Sequence, residues 1–373
     1  MKKILFLTGT RADFGKIKSL IQILENHQAF EVFVFVTGMH LQEEYGYTLI
    51  EIERCRFKNV HTFENHTHET TMDLTLAKTI EGLSAYVKEV NPDMIVVHGD
   101  RVETLAGAIV GSLNNILVAH IEGGELSGTV DELIRHSVSK LSHIHFVSNG
   151  DAKKRLLQMG ETEASVYKIG SPDIDIMFSN NLPTLEVVKK YYEIPFEDYA
   201  IVMFHPVTTE AVAIKKQATD FVAALEKDNH NYVVIYPNND LGSQAIIEAY
   251  KYLKENQRFR IFPSLRFEYF LTLLKNAQFM IGNSSAGIRE APYYGIPIIN
   301  IGTRQQNRAI HADIVNVDYD KISINEALQH IDKHQVMVSK ADFGKGNSAK
   351  LFLKTMLNQD LWQINHQKQF REL

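Results

Sequence analysis

Short, almost unbroken apolar runs punctuate this chain, each too brief for a helix, and their recurrence limits the available folds more than any other feature. The first series is ILFLTG from Ile4, EVFVFVTG from Glu31, MIVVHGD ending at Asp100, ILVAHIEGG from Ile116 and HIHFVS from His143. Stretches with helical periodicity fill the gaps, for example Gly15 to Glu25. Continuous rather than alternating apolar runs suit strands buried on both faces, so the pattern predicts parallel sheets sandwiched between helices. A second series begins with YAIVMFHP at Tyr199 and continues through YVVIYPN, FRIFPS, FMIGNSS and IPIINIG. The fold class expected is therefore α/β, with two Rossmann-like domains.

At 373 residues the chain exceeds what one core usually fills, which agrees with two domains. We expect a first domain over 1–175, a second over 185–345, and a helical tail over 346–373 that packs back on the first. Between the two series, Ser171 to Thr184 reads as a linker because of its polar residues and two prolines. A net charge of -6 offers no electrostatic footprint for nucleic acid or an anionic membrane. No apolar stretch is long enough to span a bilayer, and the opening lacks a signal-peptide pattern, so a cytoplasmic location is expected. Cys55 is the only cysteine, which excludes an intrachain disulfide and a cysteine-rich zinc site.

The chemically notable residues follow directly on the apolar runs, where ligands of parallel sheets sit. Gly9-Thr10-Arg11-Ala12-Asp13-Phe14-Gly15-Lys16 joins the first strand to the first helix. Its amides would attract phosphate, and Arg11 and Lys16 would add charge, although a turn of this kind is also plain topology. Gly282-Asn283-Ser284-Ser285-Ala286-Gly287-Ile288-Arg289-Glu290 makes a similar junction in the second half. Small residues such as Ser284, Ser285 and Gly287 let a diphosphate come close, and Glu290 could accept from ribose hydroxyls; the bland alternative is a capped helix. The carboxylates Asp100, Glu122, Glu125, Asp131 and Glu132 are candidates for proton transfer. A metal held by His98, Asp100, His120 and Glu122 is a weaker alternative, because no recognised ligand spacing supports it. His205, Asn239, Arg266 and Arg304 open loops of the second domain, whereas His61, His66 and His68 read as loop composition.

Taken in order, GTRADFGK, VHGDR, HIEGGELSGTVDE with IRH after it, GSPD, HPVTTE, YPNND, GNSSAGIRE and INIGTRQ resemble the hydrolysing UDP-N-acetylglucosamine 2-epimerases of bacterial sialic acid and capsule synthesis. The resemblance implies a GT-B-like architecture whose two sheets face a central cleft. It also implies release of UDP and N-acetylmannosamine from UDP-N-acetylglucosamine, no cofactor and no metal, and a homodimer. By the same resemblance Asp100, Glu122 and Asp131 are the catalytic acids. Arg11, Lys16, Arg101, His205, Asn239, Ser284, Ser285, Glu290 and Arg304 would hold UDP, and Arg266 and Gly287 join them from their place in the loops of the second domain. The non-hydrolysing epimerases resemble GTRPE, HGDT and HVEAGLR, where this chain has Ala12-Asp13, Arg101 and Gly124-Glu125-Leu126; that difference favours hydrolysis. Two alternatives are a hydrolysing epimerase for UDP-2,4-diacetamido-2,4,6-trideoxyglucose and the non-hydrolysing enzyme.

Overall fold

The computed structural model describes residues 1–66, 71–127, 130–305, 314–331 and 343–371. The chain divides into two compact units. The first comprises Met1–Glu125, Asp131–Asn181 and Asp342–Leu373, and the second Leu126–Val130 and Leu182–Ala341.

In the first unit β1 (Lys2–Thr8), β2 (Phe30–Val36), β3 (Val60–Thr62), β4 (Met94–His98), β5 (Leu117–Ile121), β6 (Ile144–Val147) and β7 (Val166–Lys168) form one sheet. Every pair is parallel, in the order β3-β2-β1-β4-β5-β6-β7, so the chain reverses its direction of travel between β1 and β4. Alternate residues of β1 feed two cores. Ile4 and Phe6 face one side, with Ile17, Leu20 and Leu24 of the helix Arg11–Glu25. Leu5 and Leu7 face the other, with Leu83 and Val87 of the helix Met72–Val90. Burial of both faces is why the central strands read as continuous apolar runs.

The helix Ser348–Met356 belongs to this unit and places Phe352, fully buried, against Phe6 and Phe146. Beyond it, Lys368 meets the buried carboxylate of Glu161 at 2.6 Å, beside His145 at 3.0 Å and Lys140 at 2.9 Å. Burial alone would raise the pKa of Glu161. The hydrogen bond and charge of His145, with the charge of Lys368 and the Lys140 hydrogen bond, outweigh it and hold Glu161 down to about 2.

The second unit repeats the plan with β8 (Ala200–Met203), β9 (Tyr232–Ile235), β10 (Phe259–Phe262), β11 (Met280–Gly282), β12 (Ile298–Ile301) and β13 (Ile314–Val317). These are again all parallel, ordered β10-β9-β8-β11-β12-β13, with the reversal between β8 and β11. Val202, Val234, Ile281 and Ile299 pack on Phe221, Ile246 and Leu328 from three flanking helices.

Three strands escaped the sequence pattern: β3, β7 and β13. Each lies at a sheet edge and is only partly buried, so none carries an apolar run. His61, expected as loop composition, lies on β3 and stacks on Phe35 and Tyr86. The expected linker is also corrected at its start: Pro172–Met177 is a helix of the first unit, and Ser348 and Ala349 donate their amides to Asp175 at 2.8 Å each. Proline at the first helical position lacks an amide that the helix does not need there, so it begins this helix instead of breaking the chain. Among the described residues no helix is long and apolar enough to cross a membrane.

Because Glu161 is lower in the fold than the ordinary 4.5, its stabilisation is full above that value and disappears as pH falls towards about 2. Glu161→Gln should cost about 3 kcal/mol at neutral pH. Urea unfolding curves of variant and wild type should converge over that acid window.

Candidate active site

In both units the polar residues gather at the strand ends flanking the reversal of strand order, where an open parallel sheet leaves a crevice. In the first unit that point lies between β1 and β4, with β5 next to it. β4 ends at His98 and continues through Gly99 to Asp100, while β5 ends at Ile121 and leads into Glu122. Gly99 donates its amide to the Ile121 carbonyl at 3.1 Å, and Glu122 donates to Phe146 at 2.9 Å, so the strand ends stay tied past the sheet.

Glu122 is the focus of this unit. Its φ of +65 lies in the left-handed region, which is costly for a residue with a side chain, about 1–3 kcal/mol. The conformation turns its carboxylate into a buried polar shell, with the residue 2% exposed. Ser171 donates its hydroxyl to Oε1, His98 Nε2 lies 3.2 Å from Oε2, and Lys16 Nζ lies 4.0 Å from Oε2. The same Lys16 is closer to Asp173, at 3.3 Å. Arg135 donates to the Glu122 carbonyl at 2.6 Å and pairs with Asp100 through its other nitrogen. Asp131 lies one turn before Arg135 on the helix Val130–Leu141, a spacing that shares one helix face. Asp100, Glu122 and Arg135 are thus brought into one cluster, with Asp131 at the head of the helix that supplies Arg135.

The turn after β1 supplies part of its own hydrogen bonding. Three of its amides are met by its own side chains: Asp13 accepts from Gly9 at 3.0 Å and Thr10 at 3.2 Å, and Thr10 accepts from Asp13 at 3.2 Å. A carboxylate supplied by the turn itself thus caps the start of the helix. Burial raises the Asp13 pKa against the bonds from Thr8 and Gly9 that lower it. Lys16 reaches the carboxylates named above. Arg11 starts the helix, and its charge, after burial, helps hold His40 down to about 3. Arg101 caps the helix Val102–Leu113, with Nε 3.6 Å from Glu103.

His120 is a structural residue. Its Nε2 donates to the Gly99 carbonyl at 2.8 Å, Nδ1 meets Ser139 at 3.2 Å, and burial pushes its pKa to about 3, so the ring stays neutral. Glu125 accepts from Ser148 at 2.6 Å. Glu132 pairs with His136 one turn later, at 2.9 Å. Among the described residues no group of three His, Cys, Asp or Glu side chains is arranged to hold a metal ion. Gly128 and Thr129 of the long acidic motif, and His68, lie outside the described residues.

In the second unit the reversal lies between β8 and β11. Asn283, just past β11, reads the main chain of His205, just past β8: its Oδ1 accepts from the His205 amide at 2.6 Å and its Nδ2 donates to the carbonyl at 2.8 Å. His205 Nδ1 accepts from the Asn238 amide at 3.1 Å, which leaves the ring proton on Nε2, and Asn239 follows in the same loop. Arg304 and Gln305, after β12, donate to the Asn283 carbonyl at 3.3 and 2.7 Å. Ser284 accepts from Ala286 at 3.3 Å, Ser285 precedes the short helix Ala286–Arg289 that contains Gly287, and Glu290 is buried at its end. His205, Asn283, Ser284, Ser285 and Arg304 therefore share one crevice. The Arg266 guanidinium lies over the rings of Tyr191 and Tyr269.

Asp173, Ser171, Arg135 and Asn283 were not among the sequence candidates. Ser-Pro-Asp after a strand is a helix-start signature that would have drawn attention to the first two. Arg135 and Asn283 lie in the motifs IRH and GNSSAGIRE, but their roles were not legible there, since their contacts join distant segments.

Each unit is thus a doubly wound Rossmann-like domain with polar side chains at its switch point, the design of enzymes that handle nucleotides and nucleotide-linked groups. A family model described as UDP-N-acetylglucosamine 2-epimerase matches residues 22–357. A UDP-N-acetylglucosamine 2-epimerase of Neisseria meningitidis serogroup B is 49% identical over 100% of both chains. A UDP-N,N'-diacetylbacillosamine 2-epimerase (hydrolyzing) of Legionella pneumophila is 33% identical over 94% of both. The crystal structure of a UDP-GlcNAc 2-epimerase from Neisseria meningitidis bound to UDP-GlcNAc shares the fold, with a TM-score of 0.79, 20% identity, and coverage of 95% of this chain and 99% of that one. The chain belongs to the UDP-N-acetylglucosamine 2-epimerase family.

Gly282, at a φ of +136, brings the β11 end against β8: a Cβ there would lie 2.0 Å from the Met203 carbonyl oxygen. Gly282→Ala should destabilise the fold by more than about 3 kcal/mol, read as a lowered thermal midpoint.

Proposed function

We propose that the protein is a hydrolysing UDP-N-acetylglucosamine 2-epimerase that releases UDP and N-acetylmannosamine. The observation that carries this reading is the shell around Glu122, a buried carboxylate held in a costly backbone conformation and linked through Arg135 to a second carboxylate, Asp100. Inverting a carbon not adjacent to a carbonyl requires another route to its proton. Elimination supplies one: the C1–O bond to UDP breaks, a carboxylate takes the C2 proton, and the released electron pair forms the C1–C2 double bond of 2-acetamidoglucal. A second acid then returns a proton to C2 from the opposite face while water adds its oxygen to C1.

Two carboxyl roles follow, and we assign them to Glu122 and Asp131, with Asp100 orienting or sharing protons. UDP is held by the second unit through His205, Asn239, Ser284, Ser285, Gly287, Glu290 and Arg304, with further contacts from Arg11, Lys16, Arg101 and Arg266. Cations and amides around the leaving diphosphate would stabilise the charge that builds on it. No step in this sequence calls for a redox cofactor or a metal. Hydrolysis is supported by Ala12-Asp13, Arg101 and Gly124-Glu125-Leu126, which differ from the non-hydrolysing motifs, and by the hydrolysing relative from Legionella. That relative also favours one second reading, a diacetamido-trideoxyglucose substrate for the same chemistry. We further propose a cytoplasmic homodimer with a role in sialic acid or capsule synthesis.

Proton NMR of a reaction with UDP-N-acetylglucosamine in deuterated water should show free UDP and N-acetylmannosamine carrying deuterium at C2. Intact UDP-N-acetylmannosamine as the product would make the enzyme non-hydrolysing, and faster turnover of the diacetamido sugar would transfer the substrate assignment. Asp100→Asn, Glu122→Gln and Asp131→Asn should each lower kcat by about 10²- to 10⁴-fold with UDP binding retained. Near-normal turnover removes that residue from the mechanism.

A further inference from the structure

We propose that Asp173 is a positioning residue of the reaction: by engaging the Lys16 ammonium it keeps that charge from settling fully on Glu122, and so leaves Glu122 able both to take up and to give back a proton. The inference rests on the role given to Glu122 above. Lys16 stands between two buried carboxylates and is closer to Asp173, at 3.3 Å, than to Glu122, at 4.0 Å. Asp173 is 1% exposed, so it stands in the same water-poor interior as Glu122.

Groups from several elements face Glu122. Lys16 comes from the helix Arg11–Glu25, His98 from β4, and Ser171 from the turn before the helix that carries Asp173. Arg135, from the helix Val130–Leu141, binds the Glu122 carbonyl while engaging Asp100. Asp13 is coupled electrostatically to His98 and Glu103. Within that set Lys16 is the cation on the carboxylate itself whose charge has a second claimant. A cation in full contact would pin Glu122 as a carboxylate, poor at accepting a proton from carbon, whereas a shared cation orients it without that penalty.

The backbone explains why Asp173 arrives there. Ser171 donates its amide to the Phe343 carbonyl at 2.6 Å, and Ser348 donates its hydroxyl to the Ser171 carbonyl at 3.1 Å. These bonds fix the turn whose next residues are Pro172 and Asp173. One short segment thus delivers both the hydroxyl that binds Glu122 and the carboxylate that restrains Lys16.

The test follows the Glu122 carboxyl directly. In protein labelled with carbon-13 at the glutamate carboxyl carbon, the Glu122 resonance is the one lost in Glu122→Gln, and its shift is followed against pH without substrate. Asp173→Asn lets Lys16 close on Glu122, so the midpoint should fall by about one unit or more. Asp173→Glu, which keeps the charge, should stay near the wild type. In a Lys16→Met background the fall caused by Asp173→Asn should be smaller, because only the direct repulsion between the two carboxylates is then lost. An unchanged midpoint in Asp173→Asn, or an equal fall in both backgrounds, overturns the proposal. Should Asp173→Asn fail to fold, Lys16→Met alone should raise the midpoint, and no rise overturns it equally. The kcat/KM profile should show the limb set by Glu122 moving in step with the NMR midpoint. A midpoint that moves while the profile stays still would uphold the charge balance and overturn the role of Glu122 in the reaction.

Discussion

Burial of a parallel sheet on both of its faces is the constraint from which the rest of this structure follows. A strand such as β1 sends Ile4 and Phe6 to one helical layer and Leu5 and Leu7 to the other, so no face of a central strand is left for polar chemistry. Function is displaced to the strand ends, and there the reversal of strand order opens a crevice, once between β1 and β4 and once between β8 and β11. The same plan, used twice, supplies two polar clusters of different character.

The first cluster is built around charge. Glu122 occupies a left-handed conformation at the end of β5 and is met by a hydroxyl, an imidazole and a shared ammonium, with a guanidinium on its carbonyl. Ionised groups in an interior of low dielectric are tolerated only when such partners are close, and their number and distance decide how readily a proton moves. The second cluster is built around the main chain. Asn283 ties His205 to β11 through two hydrogen bonds, and Arg304 and Gln305 converge on the Asn283 carbonyl. Rigid main chain at a strand end suits recognition, whereas the clustered carboxylates suit proton transfer.

The turn after β1 shows local chemistry that a residue pattern does not display. Glycine between a strand and a helix, with nearby cations, satisfies the pattern of a phosphate turn. Asp13 nevertheless folds back to accept from the Gly9 and Thr10 amides, and Lys16 points to Asp173 and Glu122. Proline in Ser-Pro-Asp read as part of a linker, although it begins a helix.

What the sequence determined by itself was whatever period and local spacing can encode: central strands as apolar runs, two series of them, and polar residues set directly after each run. The family was legible too, because its motifs occur in order over nearly the whole chain. Edge strands β3, β7 and β13 stayed hidden, since half-buried residues leave no apolar run. Only tertiary structure decided that Lys16, His98, Glu122, Ser171 and Asp173 share one interior, and that Arg135 joins Glu122 to Asp100. Those contacts link segments far apart in the chain, and a charged side chain chooses its partner from whatever the folded backbone brings within a few ångströms, which no local pattern records.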